Sequence, residues 1–525
     1  KVALSLETYG LTVEAQLMYL DLIAKEHRGA GVPNVSQEEL ETWEERWIDC
    51  TRQLSQWSVL IDFSSALQYP ELMMESAWKG RAWDVVRANM DSPTVAAATE
   101  GGSPFFKLYE IYLAIVDNKI SLMEKLCTSC VQLALHRWQL LPRIHTGCGA
   151  HKPLLHLCHQ ASIRWDWRMV ELRETGSIMA DMTRMMAAGN PAANGSKMNG
   201  SVGGSHKKPP ELKATLYTWR ERLPNKWDPL KEWDDIFCWR TEVFRIITSN
   251  FADVDPGLLA SLHDTPWTMI KLAHVARKQG LTEVCLNALS KLYSVATMDV
   301  QDAFHKLREQ IIICHQQPRE HRGGLNMINN TNLEFFNNKQ KAELFRLKGV
   351  FLTSLGAKQE ANNAYSHAVQ ISGDFAKGWY SWAKYCDSIF AEQTKVHCAV
   401  QAMACYLQAI NHNSAGARLM MSRVLWLLTL DDEKSTLARS LEMYGKTLPE
   451  WVWIPWIPQL LTSLTRREAM YVTTLVKALS QKYPQSVYYT MRAFLLERRE
   501  QPDRGVAGGL GGAGVDSTKL SKATS

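Results

Sequence analysis

The chain has 525 residues, 46% hydrophobic and 22% charged, with a net charge of +5. This is the balance of a folded globular protein, and the charge is too small for the length to mark a nucleic-acid or membrane surface. No run of about 18 apolar residues is long enough to span a bilayer, no secretory leader opens the chain, and the 11 cysteines, odd in number and scattered, predict free thiols in a reducing compartment.

The chain opens on Lys1 inside a helical pattern, so a piece of a longer protein is expected. The first distinctive stretch is GLTVEAQLMY, residues 10–19. It sets Gly10, then Glu-Ala with Ala15, then Tyr19 in a spacing that suits a helix beginning after a turn glycine. Trp43 and Trp47 stand four residues apart, which places them in a helical core face rather than on a base-stacking platform. Residues 120–141 read as one amphipathic helix carrying Cys127 and Cys130. With His145 and His151 these form C-x2-C-x14-H-x5-H, near a zinc spacing, and Cys148, His156, Cys158 and His159 follow. Two thiols inside a continuous helix lack the turn that closes a tetrahedral site, so buried thiols and no metal are expected.

Residues 187–210, rich in Gly, Asn, Ser and Pro and free of aromatics, read as a flexible linker. They separate an N-terminal helical part, 1–186, from a C-terminal one, 211–500. Lys207 and Lys208 within them read as solvated charge. A looser copy of the opening pattern, GLTEVCLNAL at 280–289, supplies Gly280, Cys285 and Leu289.

The full unit lies further on. Leu344, Leu347, Phe351 and Leu355 form one helical stripe, Gly356 ends it, and residues 359–371 make a second helix. In the register of a tetratricopeptide-type hairpin, Phe345 is the first large residue and Gly349 the small one where helices cross. Ala361 is the small residue of the second helix, its methyl toward the first. Tyr365 is the wedge, Ala368 the last small contact, and Asn362 lies on the outer face. One period of about 34 residues beyond Phe345 falls on Trp379, with Ala383 as its small partner. Ala402, Tyr406 and Ala409 align only after extra residues, so the repeats are degenerate. Two helices approach closely only where one presents Gly or Ala, and a neighbouring ring fills what space remains. The expected fold is all-α, an α-solenoid of degenerate tetratricopeptide/HEAT-like helical hairpins.

Residues 501–525 form a Gly-rich tail, expected to be disordered. Its GLGGAG follows no strand and opens no helix, so it is no phosphate cradle. No P-loop, kinase catalytic loop, nucleophile elbow or zincin helix occurs. No catalytic residue, cofactor or metal is assigned.

Three stretches carry a family resemblance: TLYTWRERLPNKWDPLKEWDDIFCWRTEVF at 215–244, VWIPWIPQLLTSL at 452–464, and HRWQLLP at 136–142. Together they resemble the FAT region of the phosphatidylinositol-3-kinase-related kinases, over nearly all of residues 1–497. The similarity is greater to its pseudokinase co-activator branch than to its active kinases. The resemblance implies a nuclear, non-catalytic scaffold wrapped around a kinase-like domain in cis. Its implied partners are protein subunits of histone acetyltransferase co-activator complexes and transcription activator segments, with no direct nucleic acid and no membrane. The alternative it leaves is a FAT region clamping the catalytic domain of an active kinase. A stand-alone peptide-binding repeat adaptor would require a more regular array.

Overall fold

Turn glycines and side-chain caps set a few of the helix boundaries in the computed structural model, which describes residues 1–27, 36–92, 95, 104–140, 165–189, 212–250, 265–295, 298–466 and 468–500. Among the described residues all regular structure is helical, and no helix is long and apolar enough to cross a membrane. By its contacts the chain divides into two compact units, Lys1–Glu309 and Gln310–Ser525.

The first unit contains α1 (Val2–Thr8), α2 (Thr12–His27), α3 (Gln37–Gln53), α4 (Trp57–Leu67), α5 (Pro70–Lys79) and α6 (Trp83–Met90). It continues with α7 (Pro104–Val116), α8 (Ile120–Leu140), α9 (Trp165–Gly189), α10 (Leu212–Glu221), α11 (Leu230–Asn250), α12 (Thr265–Lys278) and α13 (Thr282–Ser290). Helix α14 (Val300–Gln316) contains the division. Successive helices pack on one another, but the order is not purely sequential: α13 returns to α2, and α11 to α3. Ser36 caps α3 in a full capping box with Glu39, which satisfies N–H groups the helix leaves open.

Residues 190–211 lie outside the described residues, as do 501–525. The sequence reading divides the chain at 187–210. Ala187 to Gly189 are the last residues of α9, and α9 and α10, on either side of the stretch, pack within the same unit.

The second unit contains α15 (His321–Asn329), α16 (Asn338–Ser354), α17 (Lys358–Ile371), α18 (Ala376–Gln393), α19 (Val396–Asn411), α20 (Ala415–Leu419) and α21 (Met421–Leu428). It ends with α22 (Thr436–Gly445), α23 (Ile457–Ser463), α24 (Ala469–Lys482) and α25 (Pro484–Glu500). Here the hairpins follow one another: α16 with α17, α17 with α18, α18 with α19, and α16 also against α18. Asn337 caps α16 through Gln340. The chain then changes character at 450–456, a 3-10 turn containing Pro455. Proline removes a helical hydrogen bond, so the motif at 452–464 bends there and buries Val452, Trp453, Ile457, Leu460 and Leu461 as one core edge.

Candidate functional site

Gly10, Gly280 and Gly356 adopt φ of +79°, +86° and +80°, the left-handed region a side chain resists. Each lies just beyond one helix and just before the next, and so reverses the chain. Gly10 and Gly280 also meet: a Cβ on Gly10 would lie 2.4 Å from the Gly280 carbonyl oxygen. The Glu283 carboxylate accepts the Val13 N–H at 2.6 Å beside them. Behind the glycines, Ala15, Cys285, Ala361, Leu289 and Ala368 are fully buried, and Tyr19 and Tyr365 are buried. A Cβ on Gly349 would sit 2.8 Å from the Tyr365 ring, so only glycine lets the wedge enter.

Phe345 is half-buried, its ring 5.8 Å from His367. Trp379 is half-buried, stacks on Trp382 at 5.8 Å and donates its indole N–H to Gly373. Ala383, Ala402, Tyr406 and Ala409 are buried. Two expectations fail. Leu355 leaves the stripe and is exposed, because the chain turns away at Gly356. Asn362 is not an outer-face residue: it is half-buried and its Oδ1 accepts the Trp382 indole N–H at 2.9 Å.

Cys127 and Cys130 lie within one helix and are buried. Burial pushes their thiols up to about 11 and about 12, away from the thiolate that metal binding needs. His145, Cys148, His151, His156, Cys158 and His159 lie outside the described residues. Among the described residues no group of three or more His, Cys, Asp or Glu is placed to hold a metal ion.

The tryptophan-rich block at 215–244 forms α10 and α11 and supplies the charged centre of the first unit. Trp219 and Trp239 are fully buried; Trp239 stacks on Tyr112 at 4.2 Å. Trp219 donates its indole N–H to Glu174 at 2.6 Å, and Arg222 grips the same carboxylate at 2.8 and 3.0 Å. Arg240 donates to Glu171 at 2.6 Å and to the Arg222 carbonyl at 2.9 Å. The adjacent Asp234 and Asp235 receive Lys79: its ammonium is 2.8 Å from Asp234, closes on Asp235, and lies 4.5 Å from the centre of the Trp57 ring. Arg168 adds a second cation to Asp235 at 3.1 Å, and Arg52 holds Glu75 at 2.7 Å.

Burial opposes the Lys79 charge, but Asp234 and Asp235 outweigh it and keep the ammonium well above its usual range. Burial likewise opposes the Asp235 charge, and Lys79 with Arg168 carries its carboxyl well below the usual range. Such a cation is neither a free base nor an amine nucleophile. The neighbouring Cys238 thiol is pushed far up, by burial first and by Asp234 next. A cleft of about 370 Å³ opens here, bounded by Trp57, Trp78, Lys79, Phe237 and Glu242. Glu242 accepts the Trp83 indole N–H at 3.0 Å and pairs with Arg81 and Arg245. These charges are engaged with one another, and the arrangement fastens helices together. Sequence reasoning missed Lys79, Arg168, Glu171 and Glu174. The available signal was the Asp-Asp pair flanked by Trp233 and Trp239, since buried carboxylates require cations.

The FAT domain model matches residues 70–426. The chain is 32% identical over 511 residues to the SAGA complex/NuA4 acetyltransferase complex subunit TRA1 of Saccharomyces cerevisiae, a match covering 94% of this chain and 13% of that protein. It is 31% identical over 535 residues to the Transformation/transcription domain-associated protein of Homo sapiens, covering 96% and 13%. The chain thus spans about 13% of the length of these relatives. Among solved structures, yeast Tom70 aligns with 84% of this chain and 97% of its own at 11% identity and a TM-score of 0.22.

Proposed function

The chain belongs to the FAT domain family, and on that premise we propose that it is a non-catalytic helical-repeat scaffold segment of a large, nuclear transcription co-activator pseudokinase. Its partners on this reading are subunits of histone acetyltransferase complexes, activator segments, and a kinase-like domain in cis. The observation that carries the proposal is the breadth of similarity to a named acetyltransferase-complex subunit, which runs over 94% of the chain. The first unit supports it. Its tryptophan-rich block uses its charges to fasten helices, as a load-carrying framework requires.

The test is affinity purification of the endogenous protein that contains this chain, through a tag placed outside it. The eluate is expected to contain lysine acetyltransferase subunits and to acetylate histones, with no ATP-dependent phosphorylation of the added proteins. Kinase activity without acetyltransferase subunits would overturn the proposal in favour of a FAT region serving an active kinase.

A further inference from the structure

The last helix of the second unit packs on the core through Met491 and Phe494 and leaves exposed apolar residues beside them. Helix α25 is anchored on one side by the buried Val487. Its next face holds Tyr488, Met491 and Leu495, spaced i, i+3, i+7, along a groove of about 550 Å³ that Leu496 also lines. Tyr488 is 54% exposed and Leu496 45%, while Met491 and Leu495 are half-buried. An apolar stripe at this spacing is the half-site of helix-in-groove recognition, and Met adapts its shape to a partner.

Charge selects the partner. Arg492 and Arg499 line the same groove one above the other, with no carboxylate in its lining. Among the described residues neither pairs with a carboxylate; Arg492 makes a 3.4 Å contact with the Tyr488 hydroxyl. Two exposed guanidinium groups beside an apolar stripe complement a helix with an apolar face and acidic flanks. The chain's own tail does not fit: residues 501–525 carry two acidic residues against three basic ones, and no aromatic. We propose that the Tyr488–Met491–Leu495 groove docks an acidic amphipathic helix of a protein partner, held along one side by Arg492 and Arg499. This rests on the scaffold reading only in taking the occupant to be protein.

The test uses the full 525-residue chain and a labelled synthetic peptide of about four helical turns. The peptide has Leu and Phe on one face and Glu on both flanks, and binding is followed by fluorescence anisotropy. Saturable binding is expected, weaker by about tenfold or more for a scrambled peptide and for the R492E/R499E variant. R492K/R499K should retain most of the affinity, and R492E/R499E should bind the same peptide with Lys in place of Glu. Circular dichroism and denaturation midpoints of each variant are expected to match those of the parent. The proposal is overturned if the scrambled peptide binds equally, if the R492E/R499E variant binds unchanged, or if single-stranded DNA or anionic vesicles displace the peptide from these arginines. The assay needs no acetyltransferase subunit, so failure of the scaffold reading and failure of this one are separately visible.

Discussion

Three glycines with the same backbone conformation face different surroundings, and that difference is measurable. At Gly356 and Gly280 an added Cβ meets nothing within 4 Å, so Gly→Ala at either costs only the left-handed strain, about 1–2 kcal/mol. Gly10→Ala adds a collision with the Gly280 carbonyl and should cost more than either. Chemical-denaturation midpoints of the three variants give the order; equal losses would mean that Gly10 and Gly280 do not touch. The same method tests the second helix of the full repeat. Ala361→Leu should cost roughly 1–3 kcal/mol by overpacking a fully buried site. Asn362→Ala should cost about 1–2 kcal/mol, since the Trp382 indole N–H loses its acceptor. Asn363→Ala, at an exposed position, should fall within about 0.5 kcal/mol. Spacing alone made the small positions legible, because packing of this kind admits few residue types. It could not reveal the Asn362 bond, which depends on a tryptophan twenty residues away.

Between elements, the decisive contacts in the first unit are ionic and buried. Lys79 at the end of α5 reaches Asp234 and Asp235 on α11, while Arg168 on α9 shares Asp235. Lys79→Met would leave two largely buried carboxylates short of a cation, at about 3–5 kcal/mol. The proton linkage has a definite sign. The Asp235 carboxyl is held below its usual range in the folded chain, so it contributes stability at pH above its unfolded pKa, and that contribution fades as pH falls toward the folded one. Asp235→Asn should therefore be less stable near neutrality and lose less stability on acidification than the parent, as read from denaturation midpoints between about pH 7 and pH 3. Parallel midpoint curves for the two proteins would show that the pair is not coupled to folding. The helices joined here were legible from their 3.6-residue periodicity. The ion pairs were not, because Lys79 and Asp234 lie 155 positions apart and no local pattern links them.

At the scale of the whole chain, family membership and helical class were both readable from sequence: the tryptophan-rich block and the repeat glycines are short-range signals. The closure of the first unit was not, since α13 meeting α2 is a long-range event that a degenerate repeat does not specify. The stretch between α9 and α10 tests how far that unit depends on its connection. Residues 190–211 contain no Phe, Trp or Tyr and are rich in Gly, Asn and Ser. The helices on either side are fastened without it: Trp219 on α10 and Arg222 just beyond its end both bond Glu174 on α9, and Arg240 on α11 bonds Glu171. Replacing 190–211 with about ten Gly/Ser residues, whose mean reach is about 17 Å, should leave soluble yield and helical circular dichroism unchanged. Glu174→Ala in the shortened chain should then destabilise at least as much as in the parent, because the carboxylate is the fastening and the connection is not. Loss of soluble expression on shortening, with Glu174 intact, would show instead that the stretch itself holds α10 in place.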